Sequence, residues 1–300
     1  MGLKRVTYGE RVYQYIALII ISLLLVVMII PLLYVISTSL TPFGELVKRG
    51  YFVLFPRHTT FAAYRLLLEG GWAQQALLIS ILRTGLGTFC TLTITTIAAY
   101  CLSRKTLPGR NFFLLLVLIT ILFGGGLIPT YLLYRSFRLI NTFWVYIVPG
   151  LVDSWGLLII KQFMEQQPPE LEEAAKIDGA SDFQILFRII IPLSTPVLAA
   201  IGLFEAVGAW NSWADSLIYV SNSRLWSFQF ILRNMLQTMT VNTLFNQQAM
   251  DPSTMDLLSR ASPESLKMAA VVIGTIPILC IYPFLQKYFT KGVLIGSIKG

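Results

Sequence analysis

Long apolar runs separated by short polar stretches dominate the pattern along this chain of 300 residues. A helix crosses a bilayer with about 20 apolar residues, because each residue adds about 1.5 Å. Runs of this length cover approximately residues 16–36, 76–101, 112–134, 143–160, 189–214 and 268–285. A spanning segment must satisfy its own backbone hydrogen bonds, and none of these runs alternates in polarity as a barrel strand does. The pattern therefore predicts an all-α, polytopic membrane protein with six transmembrane helices.

The composition supports this prediction. Hydrophobic residues make up 55% of the chain and charged residues 13%, whereas soluble domains have about 25% charged residues. A soluble globule of this size has too much surface to hide so many apolar side chains. The composition also excludes a disordered chain, a coiled coil and a disulfide scaffold. Cys90, Cys101 and Cys280 lie in apolar segments without metal-ligand spacing, so no metal site is predicted.

The net charge of +8 indicates topology rather than nucleic-acid binding, because cytoplasmic loops of membrane proteins are rich in lysine and arginine. The short loop at residues 103–110 contains basic residues and no acidic ones. This favours a cytoplasmic location for the loop and for both termini. The apolar run 16–36 is too long for the core of a signal peptide and is predicted to be an uncleaved anchor.

This topology divides the chain into segments. We expect a cytoplasmic N-terminal segment at 1–15, a six-helix transmembrane domain at 16–290, a cytoplasmic tail at 291–300, extracytoplasmic loops at 41–75 and 215–267, and a long cytoplasmic loop at 165–188. The second extracytoplasmic loop has polar stretches at 242–246 and 251–256. A small extracytoplasmic cap and a mobile loop are both open interpretations of it.

The long cytoplasmic loop has the sequence of a short helix with defined ends. Pro168 and Pro169 stand where a helix begins, since its first N–H groups need no partner. Glutamates follow in the first turns, where the helix dipole stabilises negative charge, and Gly179 stands where a helix ends. Ala174 and Ala175 are expected to form a smooth face of small side chains. Such a helix, projecting from a membrane domain, is suited to close docking against another protein.

This loop resembles the EAA loop of the permease subunits of ABC importers. The pattern is Glu-Ala-Ala, three residues, Gly, nine residues, Ile, one residue, an aliphatic residue and Pro. The chain matches it at Glu173, Ala174, Ala175, Gly179, Ile189, Ile191 and Pro192. Similarity to the carbohydrate-uptake, maltose-type branch extends to residues 125–131, 141–144, 210–213 and 286–292. Within that branch the chain is most similar to permeases for oligosaccharides released from plant or algal polysaccharides.

The resemblance implies a type I importer permease fold and a set of partners. These are a second homologous permease subunit, two cytoplasmic ATPase subunits, an extracytoplasmic solute-binding protein, an oligosaccharide substrate and membrane lipid. It also implies that the EAA helix seats in a groove on the ATPase. The residues to which it gives this coupling role are Glu173, Ala174, Ala175, Asp178, Gly179 and Ala180.

The sequence contains no phosphate-binding loop of the Gly-x-x-x-x-Gly-Lys-[Ser/Thr] type. We therefore expect ATP and Mg²⁺ on the partner ATPase subunits and no cofactor on this chain. An intramembrane enzyme is disfavoured because no nucleophile–base–acid arrangement is visible. A stand-alone secondary transporter is a second alternative, but it would leave the EAA loop unexplained and usually shows an inverted repeat.

Aromatic and amide side chains suited to sugars stand near the outer ends of two predicted helices. The candidates for the substrate pathway are Tyr131, Trp210, Asn211 and Trp213. Trp210 and Trp213 would share a helix face at this spacing. An interfacial aromatic belt is the alternative for the tryptophans. Tyr131 follows a Gly-rich break that either gates the pathway or is a static kink.

Arg83, Asp153 and Glu205 are ionisable residues inside the predicted spans. Such residues are costly in lipid and usually face the bundle interior or a partner. We expect Glu205 to pair with Arg83, with a position facing the translocation cavity as the alternative. Arg83 alternatively reaches the outer surface along its own aliphatic stem.

Overall fold

The computed structural model describes the backbone of residues 8–237 and 262–296 and their side chains, apart from those of Glu10 and residues 282–296. Every regular element in the described ranges is helical, which confirms the predicted all-α class. The first half of the chain forms α1 (Tyr8–Ser39), α2 (Phe43–Lys48), α3 (Ala62–Glu69), α4 (Trp72–Ser103), α5 (Arg110–Leu122) and α6 (Leu127–Ser136).

The second half begins with two 3₁₀ turns at Phe143–Tyr146 and Val148–Gly150. It continues with α7 (Ser154–Glu165), α8 (Glu170–Ile177), α9 (Asp182–Ile185), a π-helical turn at Leu186–Ile190, α10 (Ile191–Leu193) and α11 (Thr195–Asn211). It ends with α12 (Ala214–Tyr219), a 3₁₀ turn at Ser223–Leu225, α13 (Phe228–Gln237) and α14 (Pro263–Gly296). The polar stretches 242–246 and 251–256 lie outside the described residues.

The described helices include three that are continuous, apolar and long enough to cross a membrane, within α1, α4 and α14. They correspond to the first, second and sixth predicted runs. The fourth run is bent by 43° between the 3₁₀ turns and α7, and the fifth by 80° between Asp182–Leu193 and α11. The third run is divided between α5 and α6. The chain is therefore a polytopic helical protein, and the count of six spans stays a prediction.

Proline and a π-helical turn produce the sharp bend in the fifth run. Pro192 has no N–H to donate, and the preceding turn at Leu186–Ile190 is wound as a π-helix. Both features are recognised causes of helix kinks. Ser194, between α10 and α11, is fully buried and its N–H bonds back to the carbonyl of Ile190 at 2.9 Å. The bend is thus held by defined contacts.

The described residues form two compact units, one of residues 8–71, 235–237 and 262–275 and the other of residues 72–234 and 276–296. The second unit has its core where α4, α7 and α11 pack together with α9 and the π-helical turn. The buried side chains of this core are Ala99, Tyr100, Leu102, Leu157, Ile160, Met164, Ile185, Leu186, Ile190, Leu198 and Ile201.

Small residues let these helices approach closely. A Cβ added at Gly156 of α7 would lie 2.8 Å from the side chain of Ile201 on α11. One added at Gly202 would lie 3.2 Å from Leu92 on α4. Glycines at such contacts are typical of packed membrane helices, where dispersion and not hydrophobic exclusion holds the helices together.

The first unit contains α1 and the segment that follows it. Thr60 donates its N–H to the carbonyl of Leu40 at 2.8 Å, and the ring of Tyr34 stacks on Phe52 with centroids 5.5 Å apart. Glu45 accepts hydrogen bonds from the backbone N–H groups of Arg57 and His58. The Arg57 hydrogen bond, with further donors nearby, lowers the pKa of the Glu45 carboxyl. The predicted extracytoplasmic loop 41–75 is thus a folded segment that includes α2 and α3.

Candidate functional site

The short helix α8 has the ends that its sequence predicts. Pro169 precedes it, and three acidic residues lie in its first turn. Gly179 has a φ of 81°, a left-handed conformation that glycine adopts without steric cost. Its N–H bonds to the carbonyl of Lys176 at 3.0 Å, and the N–H of Ala180 bonds to the carbonyl of Ala175 at 2.9 Å. These two bonds form a Schellman motif, which ends the helix sharply.

One side of α8 is anchored to the core of the second unit. Glu172 forms an ion pair with Arg104, which follows the end of α4. The guanidinium of Arg104 also lies over the ring of Tyr100, 4.1 Å from its centroid. Ala175 and Ala180 are half-buried against the core. Neither Glu172 nor Arg104 was among the predicted site residues, and no local signal connects residues 68 positions apart.

The opposite side of α8 faces outward. Glu173, Ala174 and Asp178 are exposed, and the side chain of Ile177 is 86% exposed. The six predicted coupling residues therefore divide between a buried side, with Ala175 and Ala180, and an exposed side. The expected small-residue face of Ala174 and Ala175 is wrong, because successive helix positions point about 100° apart. Ala174 is exposed, whereas Ala175 packs against the core.

The segments on both sides of α8 are also fixed. After it, Ser181 and Gln184 form a reciprocal capping box at the start of α9. Before it, Glu165 at the end of α7 binds Lys161 at 2.8 Å and Arg110 at 2.5 Å. A helix held at both ends and on one side presents its exposed side in a defined orientation.

A buried ion pair organises the predicted outer end of the second unit. Arg83 of α4 is 3% exposed and binds Asp215 of α12 at 2.6 Å and the carbonyl of Ser212 at 3.1 Å. Its guanidinium lies 4.4 Å from the centroid of the Tyr146 ring. The expected pairing of Arg83 with Glu205 is therefore wrong, and so is the alternative that Arg83 reaches the surface. Asp215 was not predicted as the partner of Arg83, because it lies beyond the fifth predicted run and the search for a partner was limited to residues inside the runs.

Asp153 has a local structural role. It precedes α7 and accepts hydrogen bonds from the N–H groups of Trp155 and Gly156 at 3.0 and 2.7 Å. Asp153 is thus the N-cap of α7. The fourth run is interrupted here, so a new helix begins at Ser154 and its first N–H groups need an acceptor. The carboxyl group of Glu205 lies beside that of Asp153.

Tyrosines from two segments meet near Asp215. The ring of Tyr219, the last residue of α12, stacks on Tyr131 with centroids 6.2 Å apart and contacts Tyr134 at 5.1 Å. Burial raises the pKa of Tyr219, and the charge of Asp215 adds to this shift. Tyr131 therefore lies in an aromatic cluster with Tyr134 and Tyr219. Tyr219 was not predicted, because its position depends on the fold of the segment after α11.

The structure separates the predicted tryptophan pair. Helix α11 ends at Asn211, and Ser212 is extended. The expectation that Trp210 and Trp213 share a helix face is therefore wrong. Trp210 is 5% exposed, whereas Asn211 is exposed and Trp213 is half-buried. The guanidinium of Arg233 lies over the Trp213 ring, 3.4 Å from its centroid. Arg233, on α13, is a further residue that the sequence did not reveal.

The described residues include no group of three or more His, Cys, Asp or Glu side chains that could hold a metal ion. The features of the second unit that bear on function are α8, the tyrosine cluster around Tyr219 and the ion pairs. Together these features define a polytopic helical membrane protein with an anchored helix suited to docking on one side and an aromatic cluster elsewhere in the same unit.

The family model described as "Binding-protein-dependent transport system inner membrane component" matches residues 1–295. The chain belongs to this family, and it is a membrane permease component of an importer of that kind. Among its curated relatives, the protein LplC of Bacillus subtilis is 40% identical over 295 residues, covering 98% of this chain and 97% of LplC. The predicted resemblance to ABC-importer permeases is thereby confirmed.

Two further relatives carry sugar names. The polygalacturonan/rhamnogalacturonan transport system permease protein YtcP of Bacillus subtilis is 38% identical over 272 residues, covering 91% of this chain and 93% of YtcP. A chain in the crystal structure of a bacterial ABC transporter that imports the acidic polysaccharide alginate is 26% identical, with a TM-score of 0.86. That alignment covers 96% of this chain and 100% of the other. The type I importer permease fold is confirmed by this match.

Proposed function

We propose that this chain is one of two homologous permease subunits that form the pathway of an oligosaccharide importer in a bacterial cytoplasmic membrane. Two separate ATPase subunits bind ATP and Mg²⁺, and an extracytoplasmic solute-binding protein delivers the sugar. Both termini and α8 lie on the cytoplasmic side. The observation that carries the proposal is α8 itself, anchored on one side and exposed on the other within a chain of this family.

The exposed side of α8 is suited to a groove on the ATPase. Glu173 and Ala174 give it one charge and one small side chain, and Ile177 extends an apolar side chain into solvent. An isoleucine exposed to this extent on a fixed helix is expected at a protein interface, where its burial would contribute about 1.5–3 kcal/mol. The Arg104–Glu172 ion pair holds the helix so that force on this side is transmitted to α4.

The surface of α1 supports contact with lipid and with a second permease. Its most apolar window has a mean hydropathy of 3.3, and none of that window is buried within the chain. A helix apolar on all sides is stable only in lipid or against other apolar helices.

The relatives' names support a substrate that contains acidic sugars. The matched alginate importer transports an acidic polysaccharide, and YtcP is named for polygalacturonan and rhamnogalacturonan. In this chain, Arg135, Arg138 and Arg224 are exposed, and no described acidic residue forms an ion pair with them. Unpaired guanidinium groups on the predicted outer side would attract the carboxylates of such oligosaccharides.

The test is charge reversal on the docking side of α8. Glu173→Lys should abolish uptake and lower the amount of ATPase subunit that co-purifies with the membrane complex, because a reversed charge cannot seat in the same groove. Glu69→Lys is the matched control, since Glu69 is also an exposed helical acid but lies in the predicted extracytoplasmic segment. Normal uptake and normal co-purification for Glu173→Lys would refute the coupling role. Uptake by wild type without any ATPase subunit would favour a secondary transporter.

A further inference from the structure

A cavity of about 380 Å³ lies between the end of α4, the loop after it and the start of α9. It is separate from the exposed docking side of α8 and from the aromatic cluster around Tyr219. Its lining comes from Lys176, Asp182, Phe183 and Leu186 on one side. On the other side the lining residues are Ile97, Tyr100, Cys101, Arg104, Thr106, Leu107 and Pro108. The cavity therefore lies directly behind the helix that the proposed function assigns to coupling.

The walls of this cavity are largely apolar. Ile97, Leu107 and Leu186 contribute aliphatic side chains, and Phe183 contributes an aromatic ring. Phe183 is 72% exposed and stacks on the exposed ring of Phe187, with centroids 6.5 Å apart. A pair of exposed phenylalanines next to an apolar opening is unfavourable in water and favourable at a lipid surface.

The position of the cavity along α4 also indicates lipid. The membrane-length helix α4 ends at Ser103, and the cavity begins at Ile97 and extends to Pro108. This places its apolar part beside the last turns of the spanning helix and its polar part just beyond them. Acyl chains and headgroups of a bilayer follow the same order.

Arg104, which is also paired with Glu172, and Lys176 line the polar part, together with the carboxylate of Asp182. The Nε of Arg104 is buried and has no hydrogen-bond partner among the described residues. Lys176 is largely exposed, and its Nζ lies 3.7 Å from Asp182, too far and too exposed for a strong ion pair. Lys105 is the next residue of the same loop, whereas Arg110, further on, is paired with Glu165. Such a cluster next to a membrane helix attracts anionic headgroups, at about 1 kcal/mol for each basic residue.

We propose that this cavity binds one anionic phospholipid, with its phosphate between Arg104 and Lys176 and an acyl chain along Ile97 and Cys101. The lipid fills the space behind α8 and braces that helix against the end of α4. Binding depends on the membrane setting of the family and not on the sugar or on the ATPase contact, so it can hold even if the coupling role of α8 is wrong.

The first test measures retained lipid by native mass spectrometry of the complex purified from membranes. Cys101→Trp places an indole in the cavity, and Cys280→Trp makes the same change at an exposed position of α14. Wild type and Cys280→Trp should retain phosphatidylglycerol, and Cys101→Trp should retain about tenfold less. Equal retention by both variants overturns the proposal, as does retention of phosphatidylcholine as strongly as phosphatidylglycerol by wild type.

The second test needs no substitution. Wild-type complex is placed in nanodiscs of phosphatidylcholine with or without phosphatidylglycerol, and N-ethylmaleimide labelling of Cys101 is compared with that of Cys280. Phosphatidylglycerol should slow labelling of Cys101 severalfold and leave Cys280 unchanged. Equal rates for Cys101 in both lipids, or a bound peptide or detergent in place of lipid, would overturn the assignment.

Discussion

The side-chain amide of Gln167 donates a hydrogen bond to the hydroxyl oxygen of Ser194 at 2.9 Å. Gln167 lies just before α8, and Ser194 is buried at the 80° bend between α10 and α11. The residues are 27 positions apart in the sequence. This bond attaches the segment that leads into α8 to the most strongly bent part of the predicted fifth span.

Removing this bond should weaken the connection between α8 and the bend. Gln167→Ala leaves the buried Ser194 hydroxyl without its donor, a loss of about 1–3 kcal/mol. We expect uptake to fall severalfold while the ATPase subunits still co-purify and hydrolyse ATP. The measurement is the ratio of sugar transported to ATP hydrolysed in proteoliposomes.

Gln166→Ala is the matched control for this prediction, because Gln166 is an exposed neighbour with the same side chain. Its ratio should equal that of wild type. If the ratio of sugar transported to ATP hydrolysed is unchanged in Gln167→Ala, the hydrogen bond has only a local structural role.

The close contact of α7 and α11 predicts a stability difference between two glycine substitutions. Gly156→Ala should lower stability by roughly 1–3 kcal/mol, because the new methyl group would overlap Ile201 and Asp153. Gly208→Ala, on α11 with nothing within 4 Å of an added Cβ, should have little effect. Thermal unfolding of the purified complex in detergent measures both, and equal melting temperatures would contradict the packing.

The Arg83–Asp215 pair predicts a second stability effect. Asp215→Asn keeps the shape of the side chain and removes the charge that neutralises buried Arg83. The loss should be about 1–3 kcal/mol, below the full value for a buried pair because Asp215 is partly exposed. Asp182→Asn, which removes a charge from an exposed pair at 3.7 Å, should cost almost nothing. Comparable losses of stability in the two variants would show that the Arg83–Asp215 pair stabilises the fold no more than an exposed pair does.

The ring of Trp213 provides a test of the substrate pathway. Trp213→Ala removes both a stacking surface for sugar and the ring under Arg233. We expect the sugar-stimulated ATPase rate of the reconstituted complex with its solute-binding protein to fall, while the unstimulated rate is kept. Trp144→Ala is the control, since Trp144 is an exposed tryptophan at the predicted outer end of the fourth run. An equal ratio of stimulated to basal rate in both variants would assign Trp213 to an interfacial belt.

Orientation in the membrane is tested by cysteine labelling in intact cells. In a chain whose own cysteines are replaced, an impermeant maleimide should label Asn246→Cys and not Ser181→Cys. Ser181 is exposed, so failure to label it reports the side of the membrane and not burial. Asn246 lies outside the described residues and tests the predicted outer loop. Labelling of Ser181→Cys from outside would reverse the topology.

Sequence patterns predicted the elements that depend on local composition. α1 and α4 follow from unbroken apolar runs, and the end of α8 follows from Gly179, because each of these signals lies within the element itself. Pro192 and Pro196 stand in the fifth run, yet the bend was not predicted, because it also depends on the π-helical turn and on buried Ser194. The hydrophobic periodicity of the sequence cannot show that one turn is wound as a π-helix with an extra residue.

Pairings between distant segments were not predictable in the same way. Arg83 and Asp215 are 132 positions apart, and their contact depends on the chain turning after Asn211. Arg104 and Glu172 form their pair only because α8 folds back onto the end of α4. Charge type and hydropathy identify residues that need a partner, but the choice of partner is made by the tertiary fold.

The break between α5 and α6 has a consequence for the lifetime of the chain in the cell. Gly126 has a φ of 78°, and the N–H groups of Gly124 and Gly125 make no hydrogen bond with any described residue. Residues 123–126 are exposed in the isolated chain, and peptide groups bare to hydrocarbon cost several kcal/mol each. In the proposed two-subunit importer, a copy made without its companion would leave these peptide groups facing lipid, and membrane quality control would recognise them as a defect. The amount of this protein should then follow the supply of its companion, with excess copies degraded.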